Sequence, residues 1–245
     1  MQRTLRPALP AQNRLLTSLP SRDFTLLSRY LEPVSLALGQ VLYEPGDRIF
    51  HVYFPCSGVI SLLAVVASGK AAEIAVVGDE GVVGGSSALG INVSHFRAVV
   101  QGAGTALRIR ASDLRKTFGR ETASYREFFR FTHLLMQQAA QTAACNRFHR
   151  IEARLARWLL TTRDRLHSHQ FYLTHEFLSL MLGARRVGVT FAAASLQRRG
   201  LISYSRGRIQ LLDARGLEAA ACECYGTLNG MYRQPNAKPP ISTHR

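Results

Sequence analysis

The chain has 245 residues, 47% hydrophobic and 19% charged, with a formal net charge of +15. This composition excludes a disordered polyelectrolyte, and four cysteines in such a length exclude a disulfide scaffold. A positive surplus of this size draws the chain to polyanions, nucleic acid first and anionic membrane surfaces second. The longest apolar run, 59–67, is broken by Ser61 and is about half the ~20 residues that a spanning helix requires. The first residues carry Arg3, Arg6, Pro7 and Pro10 without an apolar stretch. No signal peptide is read there, and a cytoplasmic location is expected.

Residues 1–12 read as a loose polar arm. Leu15, Leu16, Leu19, Phe24, Leu26, Leu27 and Leu31 around Pro20-Ser21 predict two short helices. From Glu32 the pattern changes to alternating Val34, Leu36 and Leu38, and glycines at 39, 46, 58, 69, 78 and 81 then punctuate apolar segments. Short strands separated by turns such as Pro45-Gly46-Asp47 and Ser68-Gly69-Lys70 predict a jelly-roll-like β domain. The stretches 97–101 and 106–110 add two further strands.

A short helix is predicted at 112–118 and a long one at 124–146, with no glycine or proline to interrupt it. Phe128, Phe131 and Leu135 mark one stripe, and Tyr125, Phe129, Met136, Ala139 and Ala143 another. One stripe can cover the β domain, while the other needs a second surface that small residues would let a twin helix approach. A homodimer is therefore expected, with Phe128, Phe131, Leu135, Ala139 and Thr142 assigned to its interface. A further helix at 149–160 turns Ile151, Leu155, Trp158 and Leu159 inward between arginines.

The stretch 173–212 carries the strongest signal. Thr174 is a good N-cap for a helix with Phe177, Leu178, Met181 and Leu182 on one face, ended by Gly183. A second helix at 186–199 places Val189, Ala192, Ala193 and Leu196 inward, and Gly200 stops it. Its other face holds Arg185, Arg186, Val187, Thr190, Phe191, Ala194 and Gln197. Two short strands then flank Ser205-Arg206-Gly207-Arg208. Helix, tight turn, helix and hairpin is the order of a winged helix-turn-helix, whose second helix enters the major groove. Between Arg147 and Gln210 there are twelve arginines, no lysine and three acids, which favours a DNA surface over an ordinary small subdomain. The tail from Gln234, with three prolines, reads as disordered.

Of the cysteines at 56, 145, 222 and 224, only Cys222-Glu223-Cys224 is a close pair. It has no second pair and no nearby histidine to complete four ligands, so it reads as structural or incidental, and neither metal nor cofactor is expected. The eight histidines are scattered, His167-Ser168-His169 lies in a polar linker, and 78–90 is glycine-rich without the Lys-Ser/Thr end of a phosphate loop. No catalytic constellation is found, so an enzyme is not expected.

Taken together, Pro45-Gly46-Asp47, Ser57-Gly58-Val59, Gly69-Lys70, Gly78-Asp79-Glu80-Gly81, the long helix, and the block from Leu180-Met181-Leu182-Gly183-Ala184-Arg185-Arg186 through Leu201-Ile202 resemble the Crp/Fnr family of bacterial transcription regulators. The resemblance implies an α+β chain: a cyclic-nucleotide-binding-like β-roll (13–120), a dimerisation helix (121–146) and a winged helix-turn-helix (147–233). It implies double-stranded DNA and a second copy of the chain as partners, and RNA polymerase if the protein activates. A small-molecule effector is left unidentified, and no membrane partner is expected.

Nucleotide-binding members place Gly-Glu in the phosphate cassette and later Arg-Ser/Thr-Ala. Here the matching positions are Gly84-Gly85, followed by Ser86 and Ser87, and Phe96-Arg97-Ala98. The ribose carboxylate is missing, Glu80 has the wrong spacing to replace it, and Arg97 is displaced by one, which in a strand turns it to the opposite face. Cyclic AMP binding is therefore not expected, and the roll holds either another ligand or none. The N-terminal cysteine cluster of iron–sulfur members is also absent. Arg186 falls on the family's guanine-reading arginine, while Val187 and Phe191 replace polar neighbours and suit a thymine methyl. Phe191 is equally open to a packing role. Gly188 permits close backbone approach, and Arg206 and Arg208 are expected on phosphate. The competing reading is a ligand-binding module that acts through protein contacts without specific DNA binding.

Overall fold

The computed structural model describes residues 13–117 and 123–233. The readings for the N-terminal arm and the proline-containing tail lie outside these residues. Helices α1 (Arg14–Thr17) and α2 (Ser21–Ser28) come first. Asn13 caps α1 by accepting from the Leu16 N–H at 3.0 Å, and its amide donates to the carbonyls of Pro55 and Gly81, each at 2.8 Å. A fully buried asparagine thus satisfies its polar atoms while tying the helix to the β domain.

That domain contains β1 (Glu32–Leu36), β2 (Val41–Tyr43), β3 (His51–Pro55), β4 (Val59–Val65), β5 (Ala71–Val77), β6 (Arg97–Gly102) and β7 (Gly104–Arg110). They form two antiparallel sheets, ordered β1-β7-β3 and β2-β6-β4-β5. Leu36, Val52, Phe54, Ile60, Val100 and Ile109 fill the roll. Gly58 has φ +81°, and a Cβ there would stand 2.5 Å from the Gly102 carbonyl, so the turn before β4 accepts no side chain. Helix α3 (Ala111–Thr117) follows the last strand, and α4 (Ala123–Phe148) is a single 26-residue helix.

The inward face of α4 corrects the interface expectation. Phe128 and Phe131 are 2% and 4% exposed and belong to the roll core, with Phe128 edge-on to Phe54 at 6.0 Å between centroids. Gly81 leaves the room that the Phe131 ring occupies. Leu135 packs against the same core, Ala139 is half-buried and Thr142 is buried. Gln138, between them, accepts from the Val76 N–H at 3.2 Å and so partners the open edge of β5. Phe128, Phe131 and Leu135 therefore face the chain's own β domain, because the roll has room for the rings of Phe128 and Phe131 and draws their stripe inward. The solvent face is the other stripe: Phe129 and Met136 are 59% and 62% exposed, and Ala140 and Ala143 continue it.

The second unit consists of α5 (Ile151–Leu166), β8 (Gln170–Tyr172), α6 (His175–Met181), α7 (Arg186–Arg198), β9 (Ile202–Ser205), β10 (Arg208–Leu211), α8 (Ala214–Ala220) and α9 (Cys224–Arg233). Leu155, Trp158, Leu159, Leu178, Val189 and Leu196 centre its core. Helix α5 runs past the expected 149–160 helix because it also covers the outer face of the roll, where Leu63 and Val99 join this second core. The junction is polar as well as apolar. Trp158 donates to Glu73 at 2.9 Å, Ser61 lies 2.6 Å from Glu73 and 2.5 Å from Gln101, and Gln101 donates to Thr162 at 2.8 Å. The Ser61 hydroxyl thus bridges Glu73 and Gln101. Burial pushes the Glu73 carboxyl up to about 7, against the lowering pull of the Ser61 hydrogen bond and the Arg157 charge.

Candidate nucleic-acid interface

Helix α6 starts where Thr174 accepts from the Phe177 N–H at 3.1 Å. It ends two residues before Gly183 (φ +54°), whose bare Cα lets the turn approach Ala72 of β5. Chain direction then bends by 107° into α7, within the usual range for a helix-turn-helix. Val189, Ala192, Ala193 and Leu196 are buried, which fixes the roll of α7 about its axis. Arg185, Arg186, Val187, Thr190, Phe191 and Gln197 consequently form a solvent-facing row, with Val187 and Phe191 65% and 69% exposed. Exposure of Phe191 sets aside the packing alternative within this chain. A Cβ on Gly188 would meet nothing within 4 Å, so the backbone is open there.

Thr190 has a second task. Its hydroxyl donates to the Arg186 carbonyl at 3.0 Å and lies 3.0 Å from His175 Nδ1, joining the two helices. His175 packs against Tyr204 at 4.6 Å between centroids, and burial followed by the Arg186 charge lowers its pKa, favouring a neutral ring at the crossing.

The wing is a sheet ordered β8-β10-β9, and its first strand is an element that sequence patterning missed. Only three residues long, β8 carries one half-buried phenylalanine and no alternation long enough to read. Arg206 (φ +49°) and Gly207 (φ +82°) make the β9–β10 turn, both residues in the left-handed region as a tight hairpin requires. Arg206 and Arg208 stand exposed on it.

Not all of the twelve arginines belong to this surface. Arg154 and Arg157 are buried. Arg163 pairs with Asp164 at 2.7 Å, Arg165 with Glu80 at 2.9 Å, and Arg199 with Glu152 at 2.8 Å. Among the described residues Arg185, Arg186, Arg206 and Arg208 enter no ion pair, so their charges remain for an external anion.

The roll's pocket positions lie apart from this surface. Gly84 (φ +83°) precedes a 3-10 turn at Gly85–Leu89, and a Cβ on it would come within 2.7 Å of the Tyr43 hydroxyl and 3.1 Å of the His51 carbonyl. Tyr43, which donates to that carbonyl, therefore lies directly against Gly84. Gly85 and Ser86 are half-buried, and Ser87 is buried. Arg97 lies on the outer face of β6 with Val99 and Gln101, bonded to both Glu44 oxygens at 2.8 and 3.0 Å. Ala98 and Val100 are the residues that face the roll core, and Phe96 is 40% exposed. Glu80 is held by Arg165 of α5 rather than turned toward a ligand, and both side chains are buried.

Two sequence families match. The cyclic nucleotide-binding domain family matches residues 33–121 and the Crp-like helix-turn-helix domain family residues 153–220. No curated protein matches the chain. Among solved structures, FixK2 from Bradyrhizobium japonicum superposes with a TM-score of 0.66 at 17% identity, over 78% of this chain and 98% of its own. The transcriptional regulator TTHA1359 from Thermus thermophilus gives 0.61 at 23%, over 78% and 98%. The c-di-GMP-responsive global regulator CLP from Xanthomonas campestris gives 0.64 at 14%, over 79% and 100%. These likenesses establish a shared fold. A β-roll joined through a long helix to a winged helix-turn-helix defines a transcriptional regulator with a DNA-binding domain. The chain belongs to the Crp/Fnr family.

Proposed function

We propose that this regulator binds a palindromic operator in duplex DNA as a homodimer and does not respond to cyclic AMP. The observation that carries the reading is the solvent-facing row on α7, with two unpaired arginines at its start and two more on the wing. Arg186 donates to a guanine edge, Val187 and Phe191 meet thymine methyls, and Gly188 admits close approach. Arg185, Thr174 and Gln197 border this contact, with Thr190 positioning the helix. Arg206 and Arg208 hold phosphate from a hairpin that fits alongside the groove.

Phe129, Met136, Ala140 and Ala143 supply the dimer face in place of the buried stripe. An apolar strip of this kind exposed on a long helix marks a protein contact. Cyclic nucleotide binding is set aside because Gly85 provides no ribose carboxylate, Arg97 is committed to Glu44, and Tyr43 covers Gly84. The protein acts in the bacterial cytoplasm, with RNA polymerase as a further partner if it activates. Selection of bound duplexes from a random pool tests the reading. A two-fold symmetric sequence with half-sites about one helical turn apart is expected. Recovery of no preferred sequence would favour the alternative, a module that works through protein contacts.

A further inference from the structure

We propose that Cys145, His149, Cys222 and Cys224 form a mononuclear zinc site that staples the end of the long helix to the helices following the wing. The sequence places the first two residues 73 positions and more from the last two, counting from His149 to Cys222. The fold brings one ligand atom from each within 4.8 Å of all the others. Cys145 and His149 are one helical turn apart at the end of α4, where the His149 N–H still bonds the Cys145 carbonyl at 3.1 Å, so both project from one face. Cys222 and Cys224 arrive on the segment between α8 and the start of α9.

The distances suit a tetrahedral ion. Zinc–sulfur and zinc–nitrogen bonds of about 2.3 and 2.0–2.1 Å separate tetrahedral ligands by roughly 3.5–3.8 Å. Cys145 Sγ lies 3.5 Å from Cys222 Sγ, and Cys224 Sγ lies 3.5 Å from His149 Nδ1. The set is too compact for a polynuclear cluster, whose ligands sit on separate irons. The sulfurs are also not bonded to each other, since a disulfide needs about 2.05 Å.

The surroundings are those of a ligand set. With Nδ1 toward the sulfurs, His149 turns Nε2 to the Glu223 carboxylate at 3.0 Å, the carboxylate–histidine arrangement that fixes a metal-binding ring. Gln141 donates to Cys224 Sγ at 3.0 Å. Arg154 and Arg157 are buried on α5, the helix whose Ala153 packs against the three cysteines. Three thiolates around a dication leave one negative charge, which these buried arginines offset, while the three thiol protons leave to solvent on binding.

Packing alone explains the gathering poorly. The three cysteines, with Ala153, make a small buried cluster separate from both main cores, and buried thiols need neither a ring nitrogen nor a carboxylate behind it. All four donors come from protein, so the site is closed and structural rather than catalytic. Its position at the α4–α5 junction lets metal occupancy hold the DNA-binding unit on the long helix.

The test uses the full-length protein purified under reducing conditions without chelator. Elemental analysis is expected to give stoichiometric zinc. After chelation, titration with cobalt should produce the visible bands of a tetrahedral thiolate-bound ion, and zinc should bleach them. Cys224→Ser and His149→Ala should each reduce bound zinc severalfold or more, with circular dichroism confirming the fold. If these variants do not fold, the cobalt spectrum of the unaltered chain decides. Overturning results are a reduced, folded chain that takes up neither ion, zinc retained in full by both folded variants, or a native Cys145–Cys222 disulfide in the fresh protein.

Discussion

At the scale of single residues, the arginines divide by what surrounds them. Arg186 opens a helix whose inward face is fixed by Val189 and Leu196, so its direction is rigid, whereas Arg208 sits beside a two-residue turn. Arg186→Ala is therefore expected to cost on the order of 1–3 kcal/mol per half-site and to flatten preference at one base position. Arg208→Ala should weaken all duplexes equally and lower the salt slope by about one per lost contact. Titration of both variants against the selected palindrome and a scrambled duplex at several salt concentrations separates them. An unchanged palindrome-to-scramble ratio for Arg186→Ala would remove it from the base-reading role. Glu73 gives a second residue-scale prediction. Its pKa is near 7 in the folded chain and near 4.5 as an ordinary glutamate. Its contribution is thus fully present below pH 4.5 and is lost as pH rises through 7, because ionisation leaves a charge in a buried place. Glu73→Gln should match the unaltered protein in stability near pH 4.5 and exceed it by roughly 1–3 kcal/mol above pH 7. Denaturant titrations at pH 4.5 and pH 8 check this, and an equal difference at both would refute the protonated carboxyl.

At the scale of elements, α4 carries two apolar stripes, one packed on the roll and one exposed. Both of its apolar stripes are legible as periodicity, but the pattern has no sign that says which one meets the chain's own roll. Phe128 and Phe131 win that place because Gly81 and Phe54 offer a ring-sized recess. The dimer prediction follows the outer stripe. Met136→Asp should shift sedimentation toward monomer while leaving the thermal midpoint of the monomer little changed, since the side chain is 62% exposed. Phe128→Ala should instead destabilise the chain by about 3–5 kcal/mol, as removal of a buried ring does. If Met136→Asp leaves a dimer intact at micromolar concentration, the interface lies elsewhere.

At the scale of the whole molecule, the roll and the winged unit share α5, and the contacts between them are buried: Arg165–Glu80, Trp158–Glu73 and Gln101–Thr162. A ligand that bound only the native state would raise its thermal midpoint at saturation. Cyclic AMP and cyclic GMP at millimolar concentration are expected to leave the midpoint unmoved, and a saturable rise with either would restore the pocket that Tyr43 and Gly85 argue against. Short-range patterns in the sequence were enough for the exposed row on α7: Thr174, Gly183 and the Val189–Leu196 spacing set the helix-turn-helix and therefore the outward direction of Arg186, Val187 and Phe191. The same held for the misplacement of Arg97, since strand alternation is a property of neighbouring residues. The sequence could not sort twelve arginines into internal and external, choose the inward stripe of α4, reveal the three-residue strand β8, or bring His149 and Cys145 to Cys222 and Cys224. Each of those depends on contacts between residues far apart in the chain, which are settled only when the two cores close and partners such as Glu80, Glu152 and Gly81 are brought into reach.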